Sequence, residues 1–197
     1  MSLSVARSSN IPLARAQFIG RLLSLMQLCF FIALASGFGS ARAADLSRHE
    51  TLFLQHVAED GLAELEASKL AAVRSSSPEV QKFAQAMAAD QQTILAELRL
   101  LALAKGVSLP EVSSKMQQAS IFRLSKLVGA RFDREYSREI AILAHKDMVA
   151  LFDQAQKRAK DADVKAFAKK FLPMLTQNLE TGQRLKVLVD KKKNVRS

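Results

Sequence analysis

From Ser47 onward, apolar residues recur at three- and four-residue intervals in four long runs. The first stripe reads Leu54, Val57, Gly61, Glu64, Ser68, Ala71 and the second Val80, Ala84, Met87, Gln91, Ile94, Leu98. The third, with some drift, reads Phe132, Tyr136, Glu139, Ile142, His145, Val149, Phe152. The fourth reads Val164, Ala168, Phe171, Leu175, Asn178, Gly182, Leu185. Spacing of this kind lines up one face of an α-helix. Punctuation sets the ends. Ser47-Arg48-His49-Glu50 is a capping box that opens helix 1, which is expected to reach about Val73. Ser75-Ser76-Ser77-Pro78 makes a turn with proline at the first position of helix 2, which stops at Gly106. A long connection follows, with a short helix expected over about Ser113–Leu127. Helix 3 is expected over Ala130–Ala159, Asp161-Ala162-Asp163 is a tight turn, and helix 4 runs to about Asp190. Pro173 interrupts helix 4 and is expected to free a carbonyl near Lys169 and kink the helix.

Two long hairpins joined by a long crossover predict an all-α, antiparallel four-helix bundle of ferritin-like type. Composition agrees: from Ala44 there are four glycines and three prolines, and alanine, leucine, lysine and glutamine dominate. Val80-x-x-Phe83-Ala84 recurs as Val164-x-x-Phe167-Ala168, a weak internal repeat consistent with two related hairpins.

The residues before this domain read differently. Arg7, Arg15 and Arg21 precede an apolar run from Leu22 to Phe38, and Ser40-Ala41-Arg42-Ala43 follows with alanine at −3 and −1 of a cut after Ala43. This is the pattern of an export signal over 1–43. The alternative is an uncleaved anchor, for which Leu22–Phe38 is at the short limit of the ~20 residues that span a bilayer. The one cysteine, Cys29, lies within the signal, so the domain expected at 44–190 has no thiol for a disulfide or a thiolate metal site. The expected compartment is the periplasm or the outer face of a bacterial envelope. Four of the 29 basic residues and none of the 19 acidic ones fall in 1–43, which leaves a mature excess of six. That excess is densest in the tail 191–197. Contact with an anionic surface through Lys191, Lys192 and Lys193 competes there with a simply solvated helix end. No aromatic residue interleaves with these lysines, so nucleic-acid binding is not expected.

Each stripe carries a polar residue near its middle: Glu64, Gln91, His145 and Asn178. Glu64 lies 12 residues before Ser76 and Gln91 15 after it; His145 lies 16 before Asp161 and Asn178 17 after it. At ~1.5 Å per residue each pair lies at nearly one level, which predicts an interior hydrogen-bonded network of the four if the hairpins share that level. The competing reading is a metal site using Glu64, Glu139 and His145. A carboxylate-bridged metal pair needs Glu-x-x-His on two helices, which this chain lacks, and neutral amides are weak donors for iron or zinc. His49 and His56 share one helix face two turns apart and read as solvated. Asp133 and Tyr136 suggest a local lock of a buried hydroxyl on a carboxylate. There is no nucleophile–base pair, glycine-rich phosphate loop or paired-carboxylate cleft, so no catalytic residue and no cofactor is expected.

Several segments occur in the order and spacing of a known family: Gly61-Leu62-Ala63-Glu64-Leu65-Glu66, Phe83 through Asp90, Gly106-Val107-Ser108-Leu109-Pro110, Gly129 through Tyr136, and Phe167-Ala168 through Leu172-Pro173. Over Leu46–Leu185 the chain resembles the DUF4142 family of exported bacterial proteins. The resemblance implies a ferritin-like helical bundle in the periplasm or at the outer membrane. Members usually carry histidine where this chain has Gln91 and Asn178; only His145 matches. Two of the three family histidines are therefore replaced, which counts against a paired-metal function here. The combined expectation is an exported, non-enzymatic interaction or stress-associated protein with a protein partner in the cell envelope. The rivals are a ferritin-like metal-binding protein or oxidase with a degenerate site, and adhesion to anionic lipid or lipopolysaccharide through the tail.

Overall fold

The structure is a computed structural model that describes the backbone of residues 46–196 and side chains to residue 191. The signal predicted over 1–43, its cleavage site, and the side chains of Lys192 and Lys193 lie outside the described residues. The described chain is all-α. Helix α1 spans Arg48–Arg74, α2 Pro78–Ala104, α3 Lys115–Ser125 and α4 Gly129–Arg138. A π-helical turn, Glu139–Ala144, joins α4 to α5 (His145–Arg158), and α6 spans Ala162–Arg196.

Local chemistry explains the ends. At α1 the Ser47 hydroxyl accepts the Glu50 N–H at 3.3 Å while the Glu50 carboxylate accepts the Ser47 N–H at 2.9 Å, so two orphan amides are satisfied reciprocally. The same device recurs at α3 between Ser114 and Gln117. Gly106, at φ 67°, ends α2 in the left-handed conformation that a Cβ would oppose. Asp161 caps α6 by accepting the N–H groups of Asp163 and Val164, each at 3.0 Å. Helix α6 continues through Pro173, which faces solvent.

Two apolar clusters make the core, one at each end. Phe53, Phe152, Phe167 and Phe171 anchor the first, with ring centroids 5.1–6.3 Å apart. Phe132, Tyr136, Met87 and Leu185 anchor the second. Along α1 and α6 the first cluster comes before the second, and along α2 and the α4–α5 helix the order reverses. The four long helices therefore run up, down, down, up, and the crossover 105–128 carries the chain from one end back to the other.

The third predicted stripe needs correction. Ile140, Ala141 and Met148 are buried there, whereas Glu139, Ile142 and Val149 are only half-buried. The π-helical turn widens one turn of the helix, so Tyr136 and Ala141 share the interior face at a spacing of five. The small residue Gly182 lets α6 approach this turn: a Cβ there would overlap the Ala141 carbonyl oxygen.

Candidate functional site

The polar positions lie between the two apolar clusters. Helix α1 places Glu64 there, α2 places Gln91, and His145 enters as the first residue after the π-helical turn; all three are fully buried. One carboxylate oxygen, Glu64 Oε2, accepts from Gln91 Nε2 at 2.5 Å and lies 3.0 Å from His145 Nδ1. Three helices from both hairpins are thereby tied through one atom. The atoms on the far sides, Glu64 Oε1, Gln91 Oε1 and His145 Nε2, are buried without a hydrogen-bonding partner, which is unusual for buried polar groups.

Asn178 does not join this cluster. It is half-buried and donates to Asp90 Oδ2 at 2.7 Å, one residue before Gln91. On α6, Asn178 is turned to Asp90 and not to its neighbour Gln91, so equal counts from the turns do not bring all four together. The Asp133–Tyr136 lock is also corrected: the buried Tyr136 hydroxyl meets Ser68 Oγ at 3.0 Å, and Asp133 accepts from Ser75 Oγ at 2.5 Å. Burial pushes the Tyr136 hydroxyl well above its ordinary pKa, so it stays protonated and able to donate. His49, His56 and Lys191 are exposed.

A ferritin-like metal pair does not fit these residues. Glu139 is turned toward the surface, where it pairs with Arg138 at 2.5 Å, and Oε2 of Glu64 is already engaged twice. Among the described residues no three His, Cys, Asp or Glu side chains converge as a metal would require.

Two hollows flank the crossover helix. A cleft of about 780 Å³ lies between α1, α3 and the π-helical turn, and Glu64 reaches its wall. A shallower groove of about 830 Å³ lies between α1 and α3, walled by Leu62, Leu65, Val112 and Phe122. Gln117 holds the cleft's edge: its carbonyl caps α3 and its amide donates to Asp60 Oδ1 at 2.6 Å. Sequence reading missed Asp60 and Gln117. Asp60 lies one turn before Glu64, on the same helix face, and Ser114-x-x-Gln117 repeats the capping pattern recognised at Ser47, so both were readable by rules already in use.

No protein of curated function matches the chain in sequence. Among solved structures, a DUF305 fragment from Deinococcus radiodurans is similar at 18% identity and a TM-score of 0.63, covering 74% of this chain and 98% of its own. A spore-coat-like protein from Bacillus halodurans is similar at 15% identity and a TM-score of 0.54, covering 75% and 90%. These likenesses concern the helical fold. The sequence profile of the domain of unknown function DUF4142 matches residues 36–185, and the chain belongs to that family.

Proposed function

We propose that the protein is an exported, non-enzymatic four-helix bundle of ferritin-like type that acts by binding a protein partner in the periplasm or at the outer face. The up-down-down-up order of its long helices supports the ferritin-like reading, and the arginine-bearing, apolar segment before Ala43 supports export. Among the described residues no helix is long and apolar enough to cross a membrane. The observation that carries the binding role is the crossover. Within 17 positions it leaves Val112, Met116, Phe122 and Val128 at 62–81% exposure, beside an apolar groove. Exposed apolar side chains gathered in this way mark interaction surfaces. One oxygen of the bundle's interior carboxylate, Glu64 Oε2, joins helices.

The test has two parts. Cell fractionation with N-terminal sequencing should find the protein outside the cytoplasm, beginning at Ala44; an intact, cytoplasmic chain overturns the export reading. A photo-crosslinking residue at Phe122 should give a discrete adduct in cells that the same residue at exposed Lys82 does not. Equal labelling at both positions, or none, overturns the crossover as the binding surface. Stoichiometric iron, manganese or zinc that is lost on His145→Ala would instead favour the metal-binding rival.

A further inference from the structure

We infer that the cleft between α1, α3 and the π-helical turn binds a small organic cation, a protonated amine carried on a short apolar body. Of the exposed apolar residues of the crossover, Met116 lines this cleft, whereas Val112 and Phe122 line the neighbouring groove. At about 780 Å³ the cleft is of the size that takes small ligands. Its inner wall is apolar, formed by Ala63, Ile121, Leu124 and Ile140. Its charge is not balanced. Five carboxylates line it, those of Asp60, Glu64, Glu135, Glu139 and Asp147, against the guanidinium groups of Arg123 and Arg138. Arg138 is already taken by Glu135 at 2.8 Å and Glu139 at 2.5 Å. Arg123 donates to Ser120 at 2.6 Å. Asp60 and Asp147 have no lysine or arginine within ion-pair distance among the described residues.

The second, independent observation lies deeper. Glu64 is fully buried, reaches this cleft, and keeps Oε1 without a partner while Oε2 serves Gln91 and His145. A buried carboxylate oxygen calls for a donor. An ammonium group offers three N–H donors and the compensating charge in one atom. With one N–H on Glu64 Oε1, the others reach toward Asp60, one helical turn away on the same face. Burial, and among the nearby charges that of Glu64, raise the Asp60 pKa, and a cation in the cleft would offset the repulsion between the two carboxylates. A metal ion lacks the convergent ligands it needs, an anion meets the wrong sign, and a neutral alcohol leaves the charge uncompensated.

The test uses the protein purified as the cell leaves it, titrated calorimetrically with n-pentylammonium, n-pentanoate and 1-pentanol. Pentylammonium should fill a single saturable site, and the other two should not. Asp60→Asn and Glu64→Gln should each weaken it about tenfold, the loss of one charge-assisted contact, and Lys82→Gln should leave it unchanged. Should Glu64→Gln fail to fold, the half-buried Asp60→Asn decides alone. Equal binding of pentanol, unsaturable binding of pentylammonium, or an unaltered affinity in Asp60→Asn overturns the site. Crosslinking from position 122 is read separately in Asp60→Asn, so the two proposals fail independently.

Discussion

The Glu50 carboxylate accepts the backbone N–H of Asp161 at 2.7 Å across 111 residues of sequence, and the same oxygen accepts the Lys160 N–H at 2.8 Å. One acidic side chain thus caps α1 and fastens the α5–α6 turn to it. Lys105, paired with Asp161 at 2.6 Å, brings the end of α2 to the same corner. Burial alone would raise the Glu50 pKa, but the Asp161 N–H, Ser47 and the Lys160 N–H outweigh it and hold the carboxyl below its ordinary value. Asp161 is lowered likewise: its hydrogen bonds, first that of Lys105, outweigh the effect of burial. A carboxyl depressed in the folded state contributes stability above its unfolded pKa of about 4 and loses it as pH falls through the folded value. Glu50→Gln should therefore cost about 2 kcal/mol at pH 7, with the deficit shrinking at pH 3. Urea midpoints of both proteins at the two pH values check this, and a deficit that grows in acid refutes it.

Gly182→Ala tests the approach of α6 to the π-helical turn. The added methyl would overlap the Ala141 carbonyl oxygen, a backbone atom that cannot move without its helix. Alanine improves helix propensity by about 1 kcal/mol, but overpacking of this kind costs ~1–3 kcal/mol or more. A net destabilisation of about 2 kcal/mol is expected. Gly61→Ala is the control. Its methyl meets the movable Leu95 side chain at 3.0 Å, so its effect should stay within about 1 kcal/mol. A Gly182→Ala protein as stable as the parent would mean that the two helices part easily.

The buried pair Ser68–Tyr136 joins α1 to α4 by a hydroxyl–hydroxyl bond of 3.0 Å. Tyr136→Phe leaves the Ser68 hydroxyl buried alone and should cost about 1–2 kcal/mol, whereas Ser68→Ala combined with Tyr136→Phe should recover part of that loss. Chemical denaturation of the two single variants and the double variant decides it. A double variant at the sum of the singles would show that the hydroxyls do not act as a pair.

Much of this architecture is written locally. Ser47 and Glu50 cap one another across three residues, Pro78 opens α2, and every member of the first two stripes is buried, because each depends on spacing within one helix. The third stripe held at His145 and Phe152 but failed at Glu139, Ile142 and Val149, because a π-helical turn widens the spacing there, and Glu139-Ile140-Ala141-Ile142-Leu143-Ala144 carries no proline or glycine to announce it. Of the interior polar residues, Glu64, Gln91 and His145 were legible as interruptions of apolar faces. The partner of Asn178 was not, because choosing Asp90 over its neighbour Gln91 depends on how two helices slide past one another.

The three-residue cluster makes the most discriminating prediction, since its members share one oxygen atom. Gln91→Leu removes the donor at 2.5 Å from Glu64 Oε2, and His145→Leu removes the ring nitrogen at 3.0 Å from the same atom. Either change leaves a buried carboxylate with fewer partners, at a cost of ~1–3 kcal/mol. Both bonds end on Glu64 Oε2, so once one partner is gone the carboxylate can turn toward the one that remains, and the second loss does not cost what it costs alone. The two substitutions should therefore be non-additive by about 1 kcal/mol or more. Asn178→Ala breaks a different bond, to Asp90, with no partner in common, and should add to either substitution within ~0.5 kcal/mol. Double-mutant cycles in urea measure both couplings. Additivity of Gln91→Leu with His145→Leu would mean that the two helices are not held through Glu64. Strong coupling of Asn178→Ala to Gln91→Leu would restore the single four-residue network that the observed hydrogen bonds divide.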